Sequence, residues 1–176
     1  MEKEEETMGV LPIKDMSNTY IEHSLVINNF VTDVGHQLKS SICRVFGDSV
    51  KYKWMENDNI PVIPDVSINC DIKNRRSTNF LGVPRFIMEV LSDATETYDR
   101  NDKMTLYRSV EVAEYWIVDW RKRQVEIYVL SPDEESIDKA EYKLMSTVTE
   151  QNKKDLKLYM FPNIEIEFEQ LFDGVD

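Results

Sequence analysis

The chain has 176 residues, 41% hydrophobic and 31% charged, which is enough for one domain with a sizeable core and too few for two ordinary ones. Its 21 Lys and Arg against 33 Asp and Glu leave a formal net charge of −12, which argues against a protein that binds nucleic acid through a broad basic surface. A nucleic-acid enzyme is not excluded, because carboxylates gathered around a cation lower the net charge without repelling phosphate once the cation is bound.

The opening MEKEEE carries one Lys and four Glu, a net −3, and has the character of neither a signal peptide nor a transit peptide. No apolar run approaches the roughly 20 residues of a membrane span. A cytoplasmic protein that does not engage a membrane is expected. Cys43 and Cys70 lack metal-ligand spacing and sit in apolar patterns, so both are expected to be reduced, buried thiols.

Residues 1–17 show no period and are expected to form a flexible arm, with a single domain over 18–176. From about residue 18 to 45 the apolar residues Ile27, Phe30, Val31, Val34, Leu38, Ile42 and Val45 recur at three- and four-residue steps, the stripe of an amphipathic helix. Ser17, Asn18 or Thr19 would cap it. His23 falls at the edge of the stripe, with Glu22 beside it. Val50, Tyr52 and Trp54 alternate as in a half-buried strand, and 56–61 reads as a turn. Pro64 suits a strand's first position. Beyond it Val66, Ile68 and Cys70 point one way, and Asp65, Ser67 and Asn69 the other.

Residues 73–78 read as a basic loop. Residues 85–91 are nearly all apolar, as in a central strand covered on both faces. Asp99 or Asn101 would cap a short helix reaching about Ser109. Strands over 114–120 and 124–130 are joined by a turn at 121–123, and an acidic loop follows over 131–140. Further short strands are expected over 141–148 and 156–160, and 163–168 alternates. The fold class is α/β: one mixed central sheet flanked by helices.

Glu89 is the most telling residue, lying within FIMEVL. An unpaired carboxylate buried there would cost several kcal/mol or take up a proton. By strand parity it shares a face with Ile87 and Leu91, so its partner must come from a neighbouring element. Asp65 is the obvious one, and two adjacent carboxylates repel unless a cation lies between them. Mg²⁺ suits such a pair, since it is usually held by one or two carboxylates plus waters and substrate phosphate. The structural alternative is a salt bridge. Lys103 and Tyr107 share a helix face at i,i+4. Beside a metal water the lysine would position the nucleophile or offset phosphate charge; on spacing alone it reads as a solvated lysine next to a packed tyrosine.

IPDVSINCD, GVPRFIMEVLS and YDRNDKMTLYRSVEVAEYWIVDW, together with EHSLVINNF, resemble the Uma-two family of restriction-endonuclease-like proteins, within the PD-(D/E)XK nuclease superfamily. The resemblance covers about residues 20–130, with the motifs in family order. It implies a restriction-endonuclease-like fold and Mg²⁺- or Mn²⁺-dependent endonuclease activity on DNA. It also implies metal ligation by Asp65, Glu89 and the backbone carbonyl of Val90, with Glu22 as an auxiliary acid on the first helix and His23 as its polar neighbour. The superfamily places its lysine two positions after the second acid; here that position is Leu91, and the lysine is displaced to Lys103. Many members carry a longer leader with a strand pair before the first helix, so the sheet edge is expected to be less covered here or closed by a second copy in a homodimer.

A nuclease fold retained as a nucleic-acid- or protein-binding module, without catalysis, is the alternative. Lys73, Arg75 and Arg76, with Lys51 and Lys53, lie where they would touch phosphates, or simply form a solvated loop. Asp99 and Asp102 read as helix-capping residues, Asp119 as structural, and Trp116 and Trp120 as core or interface residues. A Gly-rich phosphate loop, a Ser-His-Asp spacing and a zinc-type cluster are all missing from the sequence.

Overall fold

The computed structural model describes residues 20–54, 61–133 and 136–176. The arm over 1–17, the caps Ser17, Asn18 and Thr19, and most of the turn over 56–61 lie outside them. The first helix, α1 (Ile21–Gln37), buries Val26, Ile27, Phe30 and Val34, the apolar stripe its periodicity predicts. It stops eight residues short of the expected end. Arg44 folds back and donates its guanidinium to the carbonyls of Leu38 (3.4 Å), Ser41 and Cys43 (2.7 Å), so the helix end is satisfied by a side chain from beyond it. That turn frees Val45 to enter strand β1 (Arg44–Phe46), and it leaves Ile42 78% exposed.

β1 pairs antiparallel with β3 (Val66–Asn69) in the register Arg44↔Asn69. One step further along that register Cys43 meets Cys70, and the two form a disulfide. This corrects the expectation of separate reduced thiols: strand pairing, which spacing could not reveal, brings together two residues 27 positions apart. By loop-closure entropy such a link contributes about 3.5 kcal/mol. A strong reductant, or the Cys43→Ser/Cys70→Ser pair, should therefore lower the thermal midpoint by roughly 10 °C. An unchanged midpoint with both thiols titratable would show that the link carries no stability.

The main sheet runs β1-β3-β6-β7-β8-β9, adding β6 (Phe86–Val90), β7 (Glu114–Asp119), β8 (Gln124–Asp133) and β9 (Ser136–Val148). Within this sheet, among the described residues, only β6 and β7 are parallel; the other neighbours are antiparallel. The sheet is thus mixed, as expected. β6 is buried along its whole length because both faces are covered, which explains its nearly continuous apolar run. On one face Phe86, Met88, Trp116 and Val118 pack against Val26, Phe30 and Val34 of α1. Phe30 stacks on Phe86 at 5.2 Å, and Trp116 stands edge-on to both. On the other face Ile87, Leu91, Tyr115 and Ile117 pack against Tyr107 and Val112.

Of the acidic stretch expected as a loop over 131–140, the described residues are strand: β8 runs to Asp133 and β9 begins at Ser136. The expected strands over 156–160 and 163–168 do not form. Their backbone groups are met by side chains instead. The Glu114 carboxylate accepts from the N–H groups of Tyr159 (3.1 Å) and Met160 (2.8 Å) and from Trp116 Nε1 (2.7 Å). Gln37 bonds both the N–H and the carbonyl of Glu165. The chain then forms α4 (Phe168–Leu171), tied to α1 by Asn29, which donates to the carbonyls of Leu171 and Asp173. Burial pushes the Glu114 carboxyl above its usual range, against those three donors. Glu114→Ala would orphan all three and should destabilise the fold by about 3 kcal/mol; a denaturant midpoint equal to wild type would refute this role.

A second, smaller sheet has the order β2-β5-β4, from β2 (Lys51–Tyr52), β4 (Arg75–Arg76) and β5 (Asn79–Phe80). The strand expected over 50–55 is thus short and belongs to this sheet, and the loop expected over 73–78 holds β4 instead. Tyr52 joins the two sheets, with its hydroxyl 2.8 Å from Ser67 Oγ on β3. Among the described residues no helix is long and apolar enough to cross a membrane.

Candidate functional site

Asp65 sits immediately before β3, where Pro64 delays the strand's start, and is 3% exposed. Its Oδ2 accepts the Val90 N–H at 2.8 Å and lies 3.3 Å from His23 Nε2. Its own N–H is 3.4 Å from Glu89 Oε2. The two acids therefore clasp each other's strands, side chain to backbone in both directions. The Asp65 carboxylate takes the place of a ladder partner for β6 where β3 has yet to begin.

Glu89 has no exposed surface. It shares the face of Ile87 and Leu91, as parity predicts, and so meets the helical segment between β6 and β7. That segment comprises α2 (Glu96–Tyr98), a π-helical turn (Asp99–Lys103) and α3 (Met104–Ser109). Tyr107 Oη donates to Glu89 Oε1 at 2.6 Å, and Lys103 Nζ lies 2.8 Å from Glu89 Oε2. Lys103 Nζ is also 2.8 Å from Asp99 Oδ1. Asp99 accepts from Thr95 Oγ1 (2.8 Å), and its carbonyl accepts from Tyr115 Oη (2.9 Å).

The π-helical turn corrects the expected regular helix. Helical residues begin at Glu96, so Asp99 does not cap the segment but lies inside it, buried, as the partner of Lys103. A π-turn widens the helix by one residue and recurs at functional sites. Here it contains both members of the ion pair.

The charges balance unevenly. Burial pushes the Glu89 carboxyl above its usual range; Lys103 opposes that rise, and Asp65 and Asp99 add to it. Burial also works against the Lys103 ammonium, but Glu89, Asp99 and Asp65 together outweigh it and hold the lysine above its ordinary value. Burial raises Asp99, again against Lys103. Tyr107 is raised well above its usual range, first by burial and then by Glu89, so its hydroxyl stays a donor.

Asp65, Glu89, Lys103 and Tyr107 are thus brought together within hydrogen-bonding contacts, and the backbone N–H of Val90 joins them. A residue's N–H and carbonyl leave a strand on the same side, so the Val90 carbonyl faces the Asp65 side too. On α1 it is His23, buried, that contacts Asp65, while Glu22 is half-buried beside it. His23 Nδ1 is buried without a hydrogen-bond partner. Asp99 was not legible as a site residue, although its i,i+4 spacing to Lys103 was an available signal.

Asp65, Glu89 and the Val90 carbonyl could together offer a cation two carboxylates and one carbonyl. Among the described residues no group of three or more His, Cys, Asp or Glu converges as a metal cluster. That does not suit zinc, which takes three or four such ligands. It suits a hard cation that keeps most of its waters.

A family model described as "Putative restriction endonuclease" matches residues 9–167. An uncharacterised protein of Synechocystis sp. is 30% identical over 112 residues, 63% of this chain and 58% of the relative, so the chain spans less than two thirds of that protein's length. A crystal structure described as a "putative nuclease belonging to DUF820", from Anabaena variabilis, superposes with a TM-score of 0.67. It is 16% identical and covers 88% of this chain and 82% of its own; at that identity the likeness bears on the fold alone. The family match takes in both acids, the lysine and every strand of the main sheet, and the chain belongs to the Uma2 family of restriction-endonuclease-like proteins.

Proposed function

We propose that this chain is a DNA endonuclease that hydrolyses phosphodiester bonds with Mg²⁺ or Mn²⁺ held by Asp65, Glu89 and the Val90 carbonyl. The observation that carries the reading is Glu89, a fully buried carboxylate in a core strand, facing a second acid and a lysine. When bound, the cation supplies an activated water and neutralises charge on the phosphate.

The chain's own residues do the positioning. Tyr107 fixes one Glu89 oxygen by donating to it, which locks the carboxylate's rotation. The Val90 N–H and His23 fix Asp65. Lys103 brings an ammonium to the edge of the acid pair, where it offsets negative charge as it grows on the phosphate in the transition state. Glu22, on the first turn of α1, is the auxiliary acid in this proposal. Cutting both strands at one position would take two copies, so a homodimer is part of it.

Supercoiled plasmid should be nicked by the purified protein in Mg²⁺ or Mn²⁺ and left intact in excess chelator. The double pairing of Lys103 favours one rival, a binding module without catalysis, because it satisfies Glu89 with no cation. Calorimetry separates the two. Mn²⁺ binding tighter than the millimolar range supports the nuclease, while no heat with or without duplex DNA puts the binding module ahead.

A further inference from the structure

The small sheet carries a set of cations that the rest of the molecule does not use. Among the described residues Arg100, Arg108, Arg121 and Arg123 all pair with carboxylates. Arg44 caps α1, and Arg85 lies over the Phe161 ring. The side chains of Arg75 and Arg76 make no such contact, and both are exposed. Lys51, Lys53 and Lys73 likewise have no ion pair. In a chain of net charge −12, unpaired cations gathered on one small element are not accounted for by the fold.

Their arrangement follows from the register. Lys51 pairs with Asn79 and Asn79 with Arg76; Tyr52 pairs with Phe80 and Phe80 with Arg75. Paired residues point to the same face of a sheet. Tyr52 and Phe80 are buried, so their row faces inward; in the other row Lys51 and Arg76 are exposed, while Asn79 between them is half-buried with its Oδ1 enclosed. Lys53 follows on that side by alternation. Arg75, at the open edge of β4, ends the inward row in solvent. Ser77, with φ of 54°, lies in the turn between β4 and β5.

A chain of ring contacts also links the sheet to the acid pair. Phe80 contacts Tyr52 (5.7 Å between ring centroids), Tyr52 contacts Trp54 (5.3 Å), and Trp54 stands edge-on to Tyr107 (6.2 Å), whose hydroxyl holds Glu89. A duplex carries roughly one phosphate charge per 1.7 Å of its axis, so any duplex seated at Glu89 must run on over neighbouring surfaces.

We infer that the outer face and open edge of the small sheet, chiefly Arg75 and Arg76 with Lys51 and Lys53, is a docking surface for the phosphate backbone of duplex DNA that holds the substrate across the Asp65–Glu89 site. This rests on the nuclease reading of that site, but binding can be tested without cleavage.

The probe is a duplex of about 30 base pairs and arbitrary sequence, titrated in chelator over a range of salt. Arg75→Ala/Arg76→Ala should weaken binding about tenfold and flatten the log–log salt dependence by about 1.8, the value for two lost phosphate contacts. Lys154→Ala, which removes an exposed cation near the C-terminal segment, should leave the slope unchanged. In the plasmid assay the double variant should raise KM and spare kcat. The proposal is overturned if the double variant binds with wild-type slope, if Lys154→Ala flattens the slope equally per charge, or if wild type does not bind the duplex at low salt. A metal site that fails to cleave would leave the binding result standing. Binding that is unchanged in a protein that still cleaves would sink the docking surface alone.

Discussion

Glu89→Gln should fold, hold its shape and fail to cut DNA. The glutamine keeps the size of the side chain, and its amide oxygen still accepts from Tyr107 Oη, which lies 2.6 Å from Glu89 Oε1. What it lacks is the charge that a cation and Lys103 require. Cleavage should fall by about 10³-fold or more, the scale on which single electrostatic groups at a reacting centre act. Stability should fall by about 1–3 kcal/mol, because the amide nitrogen takes the place of Oε2 and faces two donors, Lys103 Nζ and the Asp65 N–H, while Lys103 keeps Asp99 as its counter-charge. Asp65→Ala should lose cleavage to the same extent and with a structural cost of its own, since its Oδ2 also holds the Val90 N–H. Metal-dependent nicking by purified Glu89→Gln at the wild-type rate would sink the assignment of the site.

Lys103→Met should cost the fold more. The ammonium lies 2.8 Å from both Glu89 Oε2 and Asp99 Oδ1 and is 14% exposed, against 0% and 1% for the two carboxylates. Breaking a buried pair leaves an uncompensated charge and costs about 3–5 kcal/mol. Here two acids share one cation, so much of that cost should be relieved as they take up a proton. The Lys103→Met/Asp99→Asn double variant should recover part of the loss, giving a coupling of about 1–3 kcal/mol. Cleavage by Lys103→Met should drop by about 10²–10³-fold. If Lys103→Met matches wild type in both unfolding midpoint and rate, the lysine is neither a counter-charge nor a participant.

Several parts of this site were readable before any fold. Glu89 stood out because an acid inside FIMEVL contradicts its surroundings, and such contradictions mark function or strain. Strand parity placed it on the face of Ile87 and Leu91, where it is found, and the i,i+4 spacing of Lys103 and Tyr107 put both on one helix face. The roles of Asp99 and His23 were less visible. Asp99 read as a helix cap and His23 as the polar neighbour of Glu22 at the edge of the apolar stripe, and each acts through a partner on another element. Glu114 is similar: in sequence it merely opens a strand, yet it holds the N–H groups of Tyr159 and Met160 some 45 residues away.

Local pattern, then, determined the α/β class, the core of α1, the strands β3, β6, β7 and β8, and the identity of the two acids, because burial periodicity and the cost of a buried charge are properties of short stretches of chain. Tertiary structure alone decided where α1 stops, that Cys43 meets Cys70, that 163–168 stays unpaired, and that Lys103 reaches Glu89 through a π-helical turn. Each of these depends on a contact between residues distant in sequence, whose free energy no local window contains. The stretch from Asp65 to Tyr107 holds the chemistry in one dimension; the parallel pairing of β6 with β7 and the helical segment between them bring Lys103 and Tyr107 onto Glu89.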